Sequence, residues 1–140
     1  MVTGGTGALH SISPVEVQVN GDRALTKSTG SVSTRFTYKG RSYDSVSITR
    51  FISRLERVAG QWKLLTLEAI YDRDAITPVL PGATGDSLPD PQTARESYKC
   101  ISWVLGLRGF EIKPDLPGVD DPESCARLME ESRRWLSGVQ

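Results

Sequence analysis

The residue type best suited to acid–base chemistry in this sequence is histidine, which occurs once, at His10. Imidazole is the side chain that titrates nearest to neutral pH, so proton transfer by an imidazole would have to run through this residue. His10 stands just before the first predicted strand. A lone histidine in that place is more often a surface or capping group, and the residues alone leave both roles open.

Among the carboxylates, Glu68 is the candidate for acid–base catalysis, because it alternates with Leu67 and Ala69 inside a predicted strand. If that alternation buries Glu68, burial favours the protonated form and suits the group to general acid or base work. The alternative is an ion pair with an arginine of the neighbouring strand. The charges that close the strand, Asp72 to Asp74, are better explained as solvated or mutually paired groups.

Other reactive side chains are not arranged for catalysis. Cys100 and Cys125 fall in separate predicted helices, so no histidine or cysteine pair has the spacing of a metal site. Cys100 lies in an apolar helix, where a buried free thiol is expected. The glycine-rich run at residues 3–7 has no strand before it, which a nucleotide-binding turn requires. We therefore expect neither a metal site nor a nucleotide-binding turn.

Composition restricts the classes of partner. The chain has 140 residues with 17 basic and 17 acidic side chains, so it lacks the positive charge of a nucleic-acid binder. No apolar run approaches the length of about 20 residues that crosses a membrane, and the first residues do not resemble a signal peptide. With two cysteines there is no disulfide framework. These features predict a single cytoplasmic domain that binds neither nucleic acid nor membranes.

The elements that must position these groups begin with an antiparallel meander over residues 15–71. Alternation of β-branched or aromatic residues with polar ones predicts four strands, Val15–Val19, Ala24–Tyr38, Tyr43–Val58 and Gln61–Tyr71. Tight turns are predicted at Asn20-Gly21-Asp22, Lys39-Gly40 and Ala59-Gly60. Strands of this length exceed the usual five or six residues, so the sheet is expected to bend and wrap around something.

The two later turns predict the register of three strands. If each is a two-residue loop, Tyr38 faces Arg41 and Val58 faces Gln61. The first face of the sheet then carries Phe36, Tyr43, Thr49, Phe51, Trp62, Leu64, Thr66, Glu68 and Ile70. The second face carries Val46, Ile48, Arg50, Ile52, Arg54, Leu65, Leu67 and Tyr71. Both faces mix large apolar groups with polar ones, so each needs a cover. We expect helices on one face and a second copy, in a homodimer, on the second face, where Val46, Ile48, Ile52, Leu65 and Leu67 would otherwise form a large exposed apolar patch. Phe51 and Trp62 are expected in the core.

The last third of the chain predicts two helices. Residues 1–14 form a leader before the sheet, and residues 72–92, rich in proline and glycine, form a loop after it. The helical extension covers residues 93–137. We expect its first helix to start at Thr93, whose hydroxyl forms a capping box with Glu96, and to end at Gly106 or Gly109. We expect its second helix to have Asp121 as N-cap, Pro122 at the first helical position and Gly138 at its end.

The order of several short motifs resembles a known family. His-Ser-Ile-Ser-Pro at residues 10–14 precedes a Gly-Asp turn at 21–22, Ser-Ile-Thr-Arg-Phe at 47–51 and Gly-Gln-Trp-Lys-Leu at 60–64. Ile-Tyr-Asp-Arg-Asp at 70–74 follows, then prolines at 78 and 81. This arrangement is similar to the SnoaL-like branch of the nuclear transport factor 2-like superfamily, which includes scytalone dehydratase and ketosteroid isomerase. The resemblance covers about half of the chain.

The resemblance implies an α+β fold with a curved, cone-like, four-stranded antiparallel sheet followed by two C-terminal helices. In such members the concave face holds a small hydrophobic molecule, here against Phe36, Thr49, Phe51 and Leu64. His10 matches the histidine before the Gly-Asp turn and is expected as the catalytic base, with Glu68 or Tyr43 assisting. The implied function is a cofactor-free lyase or isomerase, of dehydratase or cyclase type, acting by proton transfer on a polyketide- or terpenoid-like metabolite.

Two departures from the family pattern favour an alternative. Family members place several helices before the first long strand, whereas this chain starts almost at that strand, and the aspartate partner of the histidine is missing. The second histidine of scytalone dehydratase has no counterpart, since residues 27–29 are Lys, Ser and Thr. We then expect a fragment, a degenerate homologue, or a subunit whose pocket is completed by the C-terminal helices or by another chain. The alternative function is a non-catalytic small-molecule-binding or dimerisation module of the same fold.

Overall fold

The computed structural model describes residues 7–80, 88 and 95–138. Within these residues, four antiparallel strands lie side by side in chain order, and two α-helices follow. The strands and helices are β1 (Leu9–Asn20), β2 (Arg23–Tyr38), β3 (Arg41–Val58), β4 (Gln61–Pro78), a 3-10 turn (Glu96–Tyr98), α1 (Lys99–Leu107) and α2 (Pro122–Ser137). The predicted α+β fold with an antiparallel sheet and two C-terminal helices is confirmed. The cone-like curvature stays a prediction.

The hairpin turns have the predicted lengths. Tyr38 lies opposite Arg41 and Val58 lies opposite Gln61, as two-residue loops require. In the second of these turns Ala59 has φ 50° and Gly60 has φ 78°, and such positive values at both central positions match the twist of the flanking strands. The local turn chemistry therefore sets the register correctly where β4 begins.

Further along β4 the predicted faces are wrong, because the strand contains two bulges. Leu55 pairs with Leu64 and Arg54 pairs with Thr66, so Leu65 is an extra residue. An extra residue reverses which face each following side chain occupies. As a result Thr66, Glu68 and Ile70 lie on the second face, whereas Leu67 and Tyr71 lie on the first. A second bulge at Asp72 restores the original alternation.

Strands β1 and β4 are longer than predicted. The predicted leader is wrong from Leu9 onward, since residues 9–14 pair with residues 28–33 of β2. A register shift between Pro14 and Glu16 follows, at a proline that cannot donate to the ladder. The predicted loop is wrong for residues 72–78, which remain in β4 because the opposite part of β3 continues to Tyr43.

Each helix covers part of a different face of the sheet. We call the two sides of the sheet the α1 face and the α2 face. For the residues of β2 and β3, the α1 face is the predicted first face and the α2 face is the predicted second face. On the α1 face Phe36 and Tyr43 form a buried cluster with Val104 of α1. On the α2 face the buried residues are Leu25, Ile52, Ile70 and Leu128. The expectation that both helices share one face is wrong.

The chain reaches the α2 face by crossing the edge of β4 at Tyr71. The Tyr71 amide donates to the carbonyl of Pro117 over 3.0 Å, and the Val119 amide donates to the carbonyl of Tyr71 over 2.9 Å. Gly118 pairs with Tyr71 between these two bonds. A Cβ atom at Gly118 would overlap the Ser97 hydroxyl, so the crossing needs glycine there.

A polar cluster holds the crossing segment in place. The Arg95 guanidinium donates two hydrogen bonds to the Asp120 carboxylate, at 2.8 and 2.6 Å, and a third to the carbonyl of Pro114 at 3.0 Å. The Ser97 hydroxyl donates to Asp120 over 2.6 Å. These hydrogen bonds, with Arg95 first, hold the pKa of Asp120 well below its usual range. We call Arg95, Ser97 and Asp120 the crossing latch.

The ends of α2 confirm the predicted caps. Asp121 accepts from the Ser124 amide, Pro122 occupies the first turn, and Gly138 ends the helix with φ 80°. At the C-terminal end, Asn20 and Arg23 donate to the carbonyls of Leu136 and Trp135, at 2.8 and 2.7 Å. Side chains from the β1–β2 turn thereby satisfy carbonyls that the helix leaves unpaired.

The start of α1 differs from the prediction. The proposed cap Thr93 lies outside the described residues, and Glu96 falls in the 3-10 turn that precedes Lys99. The Ile101 amide in the first turn of α1 instead donates to the Asp74 carboxylate of β4 over 2.8 Å. The helix ends near Gly109, which has φ 84°.

Of the two aromatic residues expected in the core, one is there. Phe51 is 8% exposed, which confirms the prediction, but Trp62 is 41% exposed, so the prediction for Trp62 is wrong. Trp62 lies on the α1 face at the end of the sheet remote from Tyr43, and its ring contacts the Arg57 guanidinium at 5.4 Å.

The stability of the α2 face is testable with two leucines. Replacing Leu128 with alanine removes a buried side chain from the α2 cluster and should lower the free energy of unfolding by about 2 to 5 kcal/mol. The control, Leu9→Ala, removes a side chain that is 76% exposed and should cost less than about 1 kcal/mol. Equal losses in chemical denaturation would contradict the docking of α2.

The crossing latch predicts a pH-dependent contribution to stability. Because the pKa of Asp120 is lowered in the folded protein, its contribution is present above the unfolded pKa of about 4 and is lost as the pH falls through the folded value. At pH 7, Asp120→Asn should cost roughly 1 to 3 kcal/mol, and this difference should shrink below about pH 4. The control, Asp22→Asn, breaks an exposed pair with Arg57 and should cost at most about 1 kcal/mol. A difference that is constant with pH would contradict the latch.

Candidate functional site

His10 lies on β1 with an exposed side chain on the α1 face. The ladder pairs run from His10 to Val32 on β2, and from there to Ser47 on β3 and Asp74 on β4. Three interstrand spacings put the Asp74 backbone roughly 14 Å away. Asp74 is already bound to the Ile101 amide. The carboxylate in the same row as His10 is therefore too distant to assist it directly.

Glu68 lies on the opposite side of the sheet. It pairs with Ile52 on the α2 face and is half-buried. It lines a small polar cavity of about 150 Å³ together with Asp115, Arg127 and Glu131. The sheet thus separates His10 from Glu68, and the structure does not bring these two predicted catalytic residues together.

The other predicted site residues share the α1 face but are spread along it. Tyr43 stacks on Phe36, with ring centroids 5.6 Å apart, inside the cluster that α1 covers. Thr49 is 2% exposed, Phe51 lies over Gly30, and Leu64 is 59% exposed. Tyr43 and Phe36 act here as packing residues, and Leu64 is open to solvent.

A larger cavity lies on the α2 face, beside α2. We call it the α2 pocket; its volume is about 340 Å³, and it is lined by Glu16, Lys27, Ser28, Thr29, Arg50, Phe51, Ile52, Ile70, Cys125 and Met129. Ile52 and Ile70 from the sheet and Cys125 and Met129 from the helix give it an apolar floor. Such a mixture of apolar walls and few polar groups is typical of small-molecule sites.

Charged side chains stand at the rim of the α2 pocket. The Lys27 ammonium lies 3.4 Å from the Glu16 carboxylate, and the Arg50 guanidinium lies 3.5 Å from the Asp72 carboxylate. The Asp72 carboxylate also lies 3.9 Å from the Arg73 guanidinium, so two arginines share it. Three cations and two carboxylates therefore stand around the rim, which carries one net positive charge.

Sequence reasoning missed this pocket because it depends on the bulge at Leu65. That bulge moves Ile70 onto the α2 face, opposite Arg50. One signal was present: Cys125 and Met129 are four residues apart, so they lie on the same side of α2. Nothing in the local sequence shows which face of the sheet that side meets.

The cysteines do not form a reactive centre. Burial, and then the neighbouring Asp74 carboxylate, raises the pKa of the Cys100 thiol to about 11. Cys100 is therefore protonated at neutral pH, where a thiol is a poor nucleophile. The Cys125 thiol donates to the carbonyl of Gly118 over 3.1 Å. In residues 7–80, 88 and 95–138, no group of three histidine, cysteine or acidic residues is placed to hold a metal ion.

Part of the α1 face is apolar and uncovered by α1. Val19 lies in one row of the ladder with Leu55 and Leu64, and Val17 lies in the next row with Leu67. We call the exposed members the open patch: Val17, Val19, Trp62, Leu64 and Leu67, between 41% and 61% exposed. Neither helix in the described part of the chain is long and apolar enough to cross a membrane.

Comparisons with known proteins give two distant relatives. No protein-family model matches the chain. It is 27% identical over 136 residues to pea pathogenicity protein 2 of Fusarium vanettenii, covering 91% of this chain and 58% of that protein. It is 25% identical over 137 residues to a PEP2-like protein of the same fungus, covering 89% of this chain and 57% of that protein. The chain thus spans less than two thirds of the length of both relatives.

Proposed function

We propose that this chain is a non-catalytic module that binds a small hydrophobic molecule in the α2 pocket. The observation that carries the proposal is the pocket itself, about 340 Å³ in volume with Ile52, Ile70 and Met129 in its floor. Ligand sites usually measure roughly 300 to 1,000 Å³ and are lined mainly by apolar groups. The floor is built from the same cluster that docks α2, so it is formed without a ligand.

The placement of the candidate catalytic groups supports binding over catalysis. A lyase or isomerase of the expected kind needs a base and an assisting group that reach one substrate in a dry pocket. His10 is exposed, and Glu68 lies on the other face of the sheet. The binding proposal requires neither residue.

The relatives give this proposal a context. Pea pathogenicity protein 2 is named for pathogenicity, and this chain is similar to 58% of it. We extend the proposal to a role in which this chain supplies the small-molecule-binding part of a protein of that kind. The SnoaL-like resemblance is compatible with it, since binding without catalysis was the alternative that the resemblance left open.

Binding can be tested with a neutral probe, 1-octanol, and methionine labelled with ¹³C at the methyl group. The chain has two methionines, Met1 and Met129, so the Met129 signal reports on the pocket alone. Octanol should shift the Met129 resonance in a saturable way. His10→Ala is the matched control and should bind octanol with unchanged affinity. Shifts that disappear in His10→Ala, or a Met129 signal that never moves, would contradict the proposal.

The open patch favours a second role, self-association. The side chains of Val17, Val19, Trp62, Leu64 and Leu67 leave an apolar surface on the order of 500 Å², near the largest that monomers usually expose. We propose that a second copy covers it in a twofold dimer, for which polar surroundings would extend the contact toward about 800 Å² per partner. The dimer would then use the α1 face and not the second face expected from the sequence, because Ile52 of that second face is covered by α2.

Sedimentation velocity tests this assembly at micromolar concentration. The unmodified chain should sediment as a dimer, and Leu64→Lys should sediment as a monomer because it puts two charges into the apolar contact. The control is Leu9→Lys, at a leucine that is 76% exposed but pairs with Ser33 on the α2 face. A monomeric unmodified chain, or a dimer that survives Leu64→Lys, would contradict assembly through the open patch.

A further inference from the structure

We propose that the α2 pocket is selective for molecules that join an apolar body to a carboxylate, with Arg50 and Lys27 as the carboxylate's partners. This inference rests on the proposed function and names the ligand class of the same site. It concerns the rim of the pocket, whereas the proposed function concerns its floor.

The two cations flank one floor residue. Lys27 on β2 lies opposite Ile52 on β3, and Arg50 lies opposite Thr29. Lys27 and Arg50 are therefore diagonal neighbours on the same face, roughly 7 to 8 Å apart. A carboxylate held above the floor between them is within reach of both long side chains, while the rest of the ligand lies on Ile52, Ile70 and Met129.

The existing ion pairs leave these cations able to accept a further anion. The Lys27–Glu16 separation is 3.4 Å and the Arg50–Asp72 separation is 3.5 Å, both longer than the 2.7 to 2.9 Å of a strong charge-assisted hydrogen bond. The Arg50 side chain is 53% exposed, so its planar guanidinium has room to turn toward a ligand. Two short bonds from one guanidinium to one carboxylate are the geometry that arginine favours.

The charge count indicates a ligand with a single negative charge. Around the rim Lys27, Arg50 and Arg73 stand beside Glu16 and Asp72, which amounts to one net positive charge. A second ligand charge would be repelled by both acidic residues. A monocarboxylate would neutralise this net positive charge, whereas a neutral molecule would not.

The test compares octanoate with 1-octanol, which have the same chain length and differ at the head group. Titrations followed by the Met129 methyl signal should show octanoate binding at least tenfold more tightly at low salt. Added sodium chloride should weaken octanoate binding and leave octanol binding unchanged, because only the former depends on exposed charges.

Variants then assign the carboxylate to its partners. Arg50→Gln and Lys27→Gln should each weaken octanoate binding about fivefold or more without changing octanol binding. Arg50→Lys, which keeps the charge, should restore part of the loss. The control is Arg35→Gln, at an exposed cation on the same face that does not line the pocket, and it should behave as the unmodified chain does.

The outcomes separate this inference from the proposed function. If octanol binds and octanoate binds no more tightly, or if Arg50→Gln and Lys27→Gln have no effect on octanoate, carboxylate selectivity is wrong and the binding function stands. If neither molecule shifts the Met129 signal, the binding function and the selectivity are both wrong.

Discussion

The backbone crossing at the edge of β4 is the constraint on which the rest of this structure depends. Two backbone hydrogen bonds with Tyr71 hold the chain where it passes from the α1 face to the α2 face. The crossing latch fixes the crossing segment on either side of Gly118. Without this crossing, α2 could not cover Leu25, Ile52 and Ile70. The α2 pocket exists only because the helix is held there.

The two bulges of β4 allow one strand to serve both faces. Between Leu65 and Asp72 the strand presents Ile70 to α2, and beyond Asp72 it presents Asp74 to the first turn of α1. Asp72 is also the partner of Arg50 at the rim of the pocket. The same irregularity that completes the apolar floor therefore places Glu68 on the face opposite His10. The bulge at Leu65 thus explains both the packing of Ile70 against α2 and the separation of Glu68 from His10.

Features set by local chemistry could be predicted from the sequence. The turn at Ala59-Gly60 and the caps of α2, Asp121 and Gly138, depend on backbone conformations that few residues adopt, so residue type is informative there. Residue type does not indicate a bulge in the same way. Leu64 and Leu65 are equally suited to either face, so tertiary packing determines which of them is the extra residue. Every face assignment between the bulges was therefore wrong, and the α2 pocket, which combines Ile70 with Met129, could not be seen. Membership of the SnoaL-like family stays a prediction.

Intermolecular nuclear Overhauser effects from the alkyl protons of bound octanoate test most directly which face of the sheet binds the ligand. If the α2 pocket is the site, these protons should show contacts with the methyl groups of Ile52, Ile70 and Met129. Contacts with the rings of His10 or Tyr43 instead would place the ligand on the α1 face. That result would contradict the binding site derived from the crossing of the chain.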